Sequence, residues 1–435
     1  MSVSGRFALL LAVGVLPVVV LSIAYDAAWA TLGVWLVFAL LLGVVDLVLA
    51  ASPRRVTIER VLPTRVRLGE TVASELYLTN AGRRTLRATV RDAWQPSAGA
   101  ATTRFGVVIP RGERRVVTTG LTPFRRGERR VQQTSIRSFG PLGLWARQAT
   151  VLAPGRIRVL PPFTSRRHLP SRLARLRELD GRTSVLIRGQ GTEFDSLREY
   201  VRGDDVRSID WRATARRDDV MVRTWRPERD RRVVIVIDTG RTSAARIDNE
   251  PRLDTAFEAS LLLSALATRA GDRVDVLAYD RRVRARVQGA TGPALLSQLV
   301  DALAPVEPEL LEMDWSAVPA LVREITNQRA LVVLLTSIET PGSSRGLLAA
   351  LPQLTRRHTV LVASVSDPTT FAAVSLRDDR TQTYHAAAAE RALLDVARVS
   401  AAARQLGAEV VTGAPADLPP AVADAYLALK AAGRL

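Results

Sequence analysis

The sequence predicts an α/β fold built on a mostly parallel, Rossmann-type sheet with helices on both faces. An antiparallel β-sandwich-like domain and an N-terminal transmembrane helical hairpin precede it. Three observations support this prediction: two apolar runs at the start, period-two alternation of apolar and polar residues in the middle, and alternating β-branched strands and helical segments after residue 231. They divide the chain into residues 1–55, 56–163, 164–230 and 231–435.

The composition indicates a folded protein of more than one domain. The chain has 435 residues, of which 47% are hydrophobic and 24% charged, and this length suffices for two or three domains. It contains no cysteine, which excludes disulfides, thiolate chemistry and Cys-ligated metals. With only 3 histidines we expect no His-rich metal site and no cofactor.

The charge balance points to an anionic neighbour. The net charge is +18 and the pI is about 11.3. Lys430 is the only lysine, so the excess is almost entirely arginine. The arginines are spread along the chain rather than gathered into a basic stripe, and we therefore do not expect nucleic acid as the main partner. An Arg-rich protein that binds an anionic surface, lipid or nucleic acid, stays open as an alternative.

Two apolar segments predict a membrane hairpin. Residues 7–25 carry no charge and residues 29–50 carry only Asp46, and each run is close to the ~20 residues that span a bilayer as a helix. Pro17 is tolerated in a membrane helix. The connection at residues 26–28 is too short for a folded loop. The hairpin would place the protein in membrane lipid.

Flanking charges set the expected orientation. Arg6 precedes the first segment, Arg54 and Arg55 follow the second, and the connection carries only Asp26. Positive residues stay on the cytoplasmic side, so both ends and the main body are expected in the cytoplasm. The prediction is a multi-pass protein of the inner or plasma membrane. A cleaved signal peptide fits less well, because a second span follows directly.

Residues 56–163 alternate apolar and polar side chains, with turn residues between the runs. This pattern predicts several short antiparallel strands in a sandwich of immunoglobulin or fibronectin type. We find no catalytic constellation here and interpret the domain as a spacer or docking module. The turn at residues 138–145 offers apolar side chains for packing.

In residues 188–217, closely spaced acidic and arginine side chains interleave with apolar ones. Arginine pairs bidentately with carboxylate, so we expect a fixed ion-pair network that braces the two folded domains and forms part of a partner-binding surface. Residues 191–205 predict a short helix that ends at Gly203. The signature residues are Glu193, Phe194, Arg198, Tyr200, Gly203, Asp204, Asp205, Arg207, Asp210, Trp211 and Arg216.

The carboxylates of this stretch have two interpretations. Asp204, Asp205 and Asp210 with Glu193 could supply a general acid and base or hold Mg²⁺. Alternatively each pairs with a neighbouring arginine, which would lower its pKa and make it a poor proton donor. We favour pairing, and expect Trp211 to supply an apolar contact whose removal lowers stability if the ring is buried.

The signature stretch resembles that of the DUF58 family, and SFGPLGLW at residues 138–145 resembles an element that precedes the family's core. The resemblance implies a von Willebrand factor A-like (vWA-like) domain, whose divalent metal site uses an Asp-x-Ser-x-Ser loop, a threonine and a later aspartate. Here Gly240 removes one hydroxyl of the loop, and Arg241 adds a positive charge to it. The corresponding degenerate site is Asp238, Thr242, Ser316 and Ser337, with Glu339 nearby.

The resemblance also implies a function. DUF58-type proteins are associated with MoxR-type AAA+ ATPases, so we expect a non-enzymatic membrane-anchored scaffold or adaptor that assists assembly or maturation of protein complexes. No small-molecule substrate is identified, and no P-loop or dinucleotide fingerprint occurs. A carboxylate- or metal-dependent hydrolase is the remaining alternative.

Overall fold

A computed structural model describes residues 2–186, 193–202, 204–217, 219–226, 231–248 and 250–435. The chain forms two compact units, Met1–Leu160 and Pro161–Leu435. The first contains two long apolar helices and a set of β-strands, and the second is a mixed α/β structure. The finer division into four parts stays a prediction.

The first unit opens with a two-residue strand, β1 (Ser2–Val3), followed by helices α1 (Gly5–Tyr25) and α2 (Ala28–Leu49). Both helices are long and apolar enough to cross a membrane, judged by length and composition. A Cβ on Gly14 would lie 2.0 Å from the Trp35 ring, so the absence of a side chain there lets α2 approach α1 closely.

The rest of this unit is β structure, as the period-two pattern predicts. A three-stranded antiparallel sheet has the order β2-β4-β7, and a six-stranded sheet has the order β1-β9-β8-β5-β6 with β3 parallel to β9. The strands are β2 (Val56–Val61), β3 (Arg65–Arg67), β4 (Val72–Asn80), β5 (Leu86–Asp92), β6 (Arg104–Ile109), β7 (Arg114–Leu121), β8 (Gly127–Phe139) and β9 (Trp145–Leu160).

Side chains from both sheets enter one hydrophobic cluster. Leu76 and Leu78 of β4 are buried there with Leu86 of β5 and Ile136 of β8. Successive side chains of a strand point to opposite faces of the sheet, so every second residue of each strand enters the core. The two sheets therefore share an interior formed from apolar residues that alternate with polar ones.

A charged residue in α2 ties the helix to this β structure. Asp46 is fully buried, and its carboxylate accepts backbone N–H bonds from Leu142 (2.7 Å), Leu144 (2.7 Å) and Trp145 (3.1 Å). Leu142 and Leu144 belong to the turn between β8 and β9, and Trp145 is the first residue of β9. A carboxylate that accepts several N–H bonds is well compensated for its burial. Asp46 thus fixes residues 140–145 against the end of the hairpin.

The second unit contains a six-stranded sheet of order β16-β15-β12-β17-β18-β19, parallel except for the antiparallel edge strand β16. A separate two-stranded sheet joins β10 to β11. The strands are β10 (Glu193–Glu199), β11 (Met221–Arg226), β12 (Arg232–Asp238), β13 (Arg246–Ile247), β14 (Glu250–Pro251), β15 (Arg273–Tyr279), β16 (Val283–Val287), β17 (Ala330–Leu335), β18 (Thr359–Val365) and β19 (Ala408–Gly413).

Nine helices occur in the described part of this unit. They are α3 (Leu169–Leu186), α4 (Trp211–Arg217), α5 (Arg252–Arg269), α6 (Gly292–Leu303), α7 (Val318–Ile325), α8 (Arg345–Thr355), α9 (Pro368–Ser375), α10 (Arg380–Gln405) and α11 (Leu418–Ala431).

The core of this unit has two parts, and alternate residues of β12 belong to one or the other. Ile235 and Ile237 pack with residues of α5, α6 and α11, whereas Val234 and Val236 pack with residues of α7, α8 and α10. Helices therefore cover both faces of the sheet, as the sequence predicts.

One predicted element is wrong. The short helix expected within residues 191–205 is replaced by strand β10, which pairs antiparallel with β11 from Glu193↔Arg226 to Glu199↔Met221. The apolar spacing of Phe194, Leu197 and Val201 resembles a helical face over too short a span to be decisive. Backbone hydrogen bonding to a strand more than twenty residues away supplies the tertiary context that overrides it.

Candidate functional site

The signature residues form a small substructure that we call the signature arm: β10, β11, α4 and the turns between them, within residues 193–226. Glu193 and Phe194 lie in β10, opposite Arg226 and Trp225. The side chains of Glu193 and Phe194 and all of Gly203 lie outside the described parts of the chain. Arg207 and Arg216 are exposed.

Arg198 and Asp204 form a bidentate pair at the end of β10. Arg198 Nη1 donates to Asp204 Oδ2 at 2.8 Å, and Arg198 Nη2 donates to Asp204 Oδ1 at 2.5 Å. The same carboxylate accepts the backbone N–H of Val201 at 2.9 Å. Two parallel bonds fix the relative orientation of guanidinium and carboxylate. This pair therefore holds the turn that follows β10.

Asp210 holds the start of α4 in a similar way. Its Oδ1 accepts backbone N–H groups of Arg212 (3.0 Å) and Ala213 (3.1 Å), and its Oδ2 accepts Nε of Arg223 at 2.8 Å. The hydrogen bond from Arg223 lowers the pKa of the Asp210 carboxyl, and the backbone bond from Ala213 adds to this effect. Asp210 thus begins α4 and links it to β11. An ionised, hydrogen-bonded carboxylate is a poor general acid.

Asp205 has a smaller local role. Its carboxylate accepts the backbone N–H of Arg207 at 3.0 Å and begins the 3₁₀ turn Val206–Ser208. Capping of this kind satisfies a backbone donor that the turn leaves unpaired. The predicted pairing of acidic and arginine side chains is thus seen at Asp204 and Asp210, while Asp205 acts on the backbone.

The arm presents apolar side chains to solvent. Trp211 is 68% exposed, Val206 66%, Val201 62% and Tyr200 37%. The buried ring on which the predicted stability effect of Trp211 depends is therefore not found: Trp211 is the first residue of α4, a helix too short to bury a face of its own. Exposed tryptophan and tyrosine on a backbone held by ion pairs are typical of a binding surface.

A second feature lies at the carboxyl ends of the sheet strands. Asp238 ends β12 and is buried together with Thr239. Asp238 Oδ1 accepts the backbone N–H of Gly240 at 2.8 Å, and its Oδ2 accepts the hydroxyl of Thr336 at 2.6 Å. Side chains at the ends of neighbouring parallel strands meet at one edge, the usual place for a ligand in such sheets. A cavity of about 110 Å³ opens beside them, the carboxyl-edge pocket.

Burial raises the pKa of Asp238, against the hydrogen bonds from Thr336 and Gly240 that lower it. Asp280, which follows β15, behaves differently. Burial opposes its ionisation, but bonds from backbone N–H groups and from Arg284 lower its pKa overall. Arg284 Nε lies 2.6 Å from Asp280 Oδ2. The pKa values of the two carboxylates are therefore shifted in opposite directions, and the charge of Asp280 adds to the rise at Asp238.

The predicted residues of the degenerate metal site are only partly together. Thr242 Oγ1 lies 3.5 Å from Asp238 Oδ2, and Ser337 lines the carboxyl-edge pocket. Ser316 instead donates to Asp314 at 2.5 Å. The residue that the sequence reasoning missed is Thr336, which directly follows β17. Its position one residue after a buried strand could have identified it.

Arg241 lines the pocket together with its ion-pair partner Glu312, and Glu339 pairs with an arginine outside the lining. Arg241 donates to Glu312 at 2.7 Å, and Glu339 accepts from Arg252 at 2.6 Å. Both oxygens of Asp238 already accept protein hydrogen bonds, and no group of three metal-ligating side chains occurs within the described residues. The predicted set supplies a single carboxylate, that of Asp238, which makes it a poor match for a divalent metal site.

Comparison with known proteins identifies a family whose model matches part of this chain. The family model described as "Protein of unknown function DUF58" matches residues 196–398. Two uncharacterized proteins, from Mycobacterium tuberculosis and Mycobacterium bovis, are each 27% identical over 185 residues, which is 42% of this chain. The match spans 57% of the length of these curated relatives.

Two solved structures each match a part of the chain. The SpRpn10 VWA domain is 9% identical, with 46% of this chain and 94% of that chain covered and a TM-score of 0.27. A CARDB domain from Pyrococcus furiosus, crystallised with di-metal ions, is 18% identical, with 25% and 89% covered and a TM-score of 0.20. At these TM-scores neither likeness carries an argument. The family match itself confirms the resemblance predicted from the signature residues: residues 196–398 of this chain match the model of the DUF58 family.

Proposed function

We propose that this protein is a membrane-anchored cytoplasmic scaffold or adaptor that works with a MoxR-type AAA+ ATPase in the assembly or maturation of protein complexes. The observation that carries the proposal is the signature arm, whose exposed Tyr200 and Trp211 stand on a backbone held by charged pairs. Such a surface is suited to binding another protein.

The hairpin supports the anchoring part. α1 and α2 have membrane-spanning length, and many of their large apolar side chains are exposed, including Leu16 at 74% and Ile23 at 78%. A bilayer is the environment that would cover this surface. Arg6, Arg54 and Arg55 favour a cytoplasmic location for both ends. The hydrogen bond between Asp46 and Leu144 then links the hairpin to the β structure of the first unit.

The fold supports a binding role for the second unit. We interpret it as vWA-like, and the β structure of the first unit as a sandwich-like spacer. Two acidic groups of the signature arm are engaged with arginines: Asp204 with Arg198, and Asp210 with Arg223. Carboxylates that are hydrogen-bonded in this way serve structure better than proton transfer. We therefore propose that the protein is not an enzyme and needs no cofactor.

The experiment is a binding measurement with purified components. The full chain is reconstituted in lipid nanodiscs, and a MoxR-type ATPase from the same organism is added with ATP or with ADP. We expect saturable binding that Trp211→Ala weakens by about tenfold or more, as for an aromatic residue at the centre of an interface. Tyr384→Ala is the matched control, because Tyr384 is 66% exposed on α10, away from the arm in sequence.

Two results would contradict the proposal. Equal weakening by Trp211→Ala and Tyr384→Ala would show that the arm is not the contact surface. Turnover of a hydrolysable substrate that disappears in Asp204→Ala or Asp238→Ala, with unchanged melting, would favour the hydrolase alternative.

A further inference from the structure

A cavity of about 350 Å³ lies where α2 ends, and four arginines line it: Arg55, Arg83, Arg84 and Arg147. The remaining lining residues are small, namely Ala50, Ala51, Ser52 and Gly82. We call this cavity the arginine pocket. Within the part of the chain that the structure describes, no carboxylate lines it and none of the four arginines forms an ion pair. Four cations close together without anions favour an anionic ligand.

Buried polar contacts fix the walls of the pocket. Asn80 is 1% exposed, and its Nδ2 donates to the carbonyl oxygens of Arg84 (2.9 Å) and Ile109 (2.9 Å). Asn80 Oδ1 accepts the backbone N–H of Gly82 at 2.9 Å. The backbone of Arg55 joins the same turn, because its carbonyl oxygen accepts the N–H of Ala81 at 3.0 Å. The backbone that carries the arginines is therefore held in place without a ligand.

Two of the arginines also contact α2. Arg147 Nε donates to the carbonyl oxygen of Leu47 at 3.0 Å, and Arg84 Nη1 donates to that of Val48 at 2.5 Å. These carbonyls belong to the last turn of the helix, which lacks intrahelical partners for them. A guanidinium carries five N–H donors, so one such bond leaves others for a further acceptor.

The position of the pocket, at the end of α2, indicates where its anion would come from. If α2 crosses a membrane, its end at Leu49 lies at the bilayer surface, and Ala50–Ser52 continue directly into the pocket. Lipid phosphates occupy this level, and basic pockets on the cytoplasmic side of membrane helices bind anionic headgroups. Arginine matches phosphate geometry because two N–H groups can bind two oxygens.

We propose that the arginine pocket binds the phosphate of an acidic phospholipid headgroup. This inference rests on the proposed membrane anchoring of the hairpin, and it is independent of the ATPase partner. It gives part of the arginine excess a definite role at the membrane surface. It also predicts selectivity for net anionic lipid, since the choline cation of a zwitterionic headgroup would meet only positive side chains.

The test uses the full chain in dodecylmaltoside micelles and isothermal titration calorimetry. The probes are dioctanoyl phosphatidylglycerol, dioctanoyl phosphatidylcholine and inorganic phosphate. We expect saturable binding of phosphatidylglycerol near one molecule per chain, and weaker binding of the other two. The double variant Arg55→Gln/Arg83→Gln should lose about tenfold or more in affinity, the effect of removing charged hydrogen bonds.

The control is Arg104→Gln/Arg111→Gln, which removes the same charge from two exposed arginines of the same unit. It should change affinity by less than about twofold, because exposed charges at a distance are screened. Both double variants should melt like the parent, since all four side chains are exposed. Equal losses in the two double variants would overturn the proposal in favour of diffuse attraction. Inorganic phosphate that binds as tightly as the lipid would also overturn it, because the site would then take a soluble anion.

These outcomes are separate from those of the proposed function. Loss of lipid binding in Arg55→Gln/Arg83→Gln leaves the signature arm intact, and Trp211→Ala leaves the arginine pocket intact. A failed ATPase-binding experiment therefore does not imply failed lipid binding, and the reverse also holds.

Discussion

Asp46 Oδ2 accepts a hydrogen bond from the backbone N–H of Leu144 at 2.7 Å, across 98 positions of sequence. The bond joins the last turns of the second apolar helix to the turn between β8 and β9. A lone charge in an apolar segment usually marks a functional or structural requirement. Here the requirement is attachment, since the same carboxylate also accepts from Leu142 and Trp145.

Removal of this carboxylate should destabilise the first unit. Asp46→Ala leaves three backbone N–H groups without their acceptor, and a buried donor without a partner costs about 1–3 kcal/mol. We expect the free energy of unfolding to fall by at least about 2 kcal/mol. Thermal melting of the full chain in detergent measures this effect, with exposed Glu70→Ala as the control. Identical melting of Asp46→Ala and the parent would show that the attachment contributes nothing.

Gly140 provides an independent test of the same contact. A Cβ at this position would lie 2.2 Å from the Asp46 Oδ1 and 2.2 Å from its carbonyl oxygen. Gly140→Ala should therefore cost about 1–3 kcal/mol through overpacking. Gly106→Ala is the matched control, because a Cβ there meets nothing within 4 Å. Denaturant unfolding of the two variants should differ clearly, and equal midpoints would contradict the observed packing.

The pKa of Asp238 predicts an unusual response to pH. Burial raises this pKa in the folded state above the ordinary value of about 3.9. A raised pKa means that the stability contribution is present below the unfolded value and lost as pH rises through the folded value. The Asp238 carboxyl should thus make the protein less stable at neutral pH than in acid. Asp238→Asn should unfold at higher urea concentration than the parent at pH 7, with the difference shrinking toward pH 4. A variant that is less stable at pH 7 would contradict this sign.

Asp210 should behave in the opposite way. The hydrogen bond from Arg223 lowers its folded pKa, so its contribution is present above about pH 3.9 and lost as pH falls through the folded value. Asp210→Asn should therefore reduce stability at pH 7, and the deficit should shrink in acid. Urea unfolding across the same pH range measures both variants. A deficit that stays constant down to pH 3 would show that the effect of Asp210 does not depend on its charge.

The absence of cysteine allows a direct test of topology. In the full chain, Ala27→Cys lies between the two apolar helices and Glu70→Cys lies in the β structure. A membrane-impermeant maleimide applied to intact cells should label Ala27→Cys and should label Glu70→Cys only after permeabilisation, as the flanking arginines predict. Labelling of Glu70→Cys in intact cells would reverse the proposed orientation.

Periodic patterns predicted the main elements because they depend on local burial. The apolar run at residues 233–237 of β12 and the alternation along β4 both follow from which faces are covered. Contacts between distant residues were not predictable in this way. The strand pairing of β10 with β11 and the attachment through Asp46 each depend on segments separated along the sequence.

The residues of the candidate site were likewise predictable only in part from the sequence. Sequence reasoning identified Asp238 from its place at the end of a buried strand, and it identified the Arg–Asp pairing of the signature from charge alternation. It did not find Thr336, because the family pattern drew attention to Ser337. It also left the burial of Trp211 open, since sequence alone does not show that α4 is too short to cover the ring.

The most direct test of the scaffold proposal is photocrosslinking in living cells from the position of Trp211. Trp211 is replaced by benzoylphenylalanine in the full chain, and Tyr384 is replaced in a matched control, because both are exposed aromatic residues. We predict a crosslinked product of Trp211→benzoylphenylalanine that contains the MoxR-type ATPase and is absent from the control. A product that lacks the ATPase at position 211, or that forms equally from position 384, would contradict the assignment of the signature arm as the partner-binding surface.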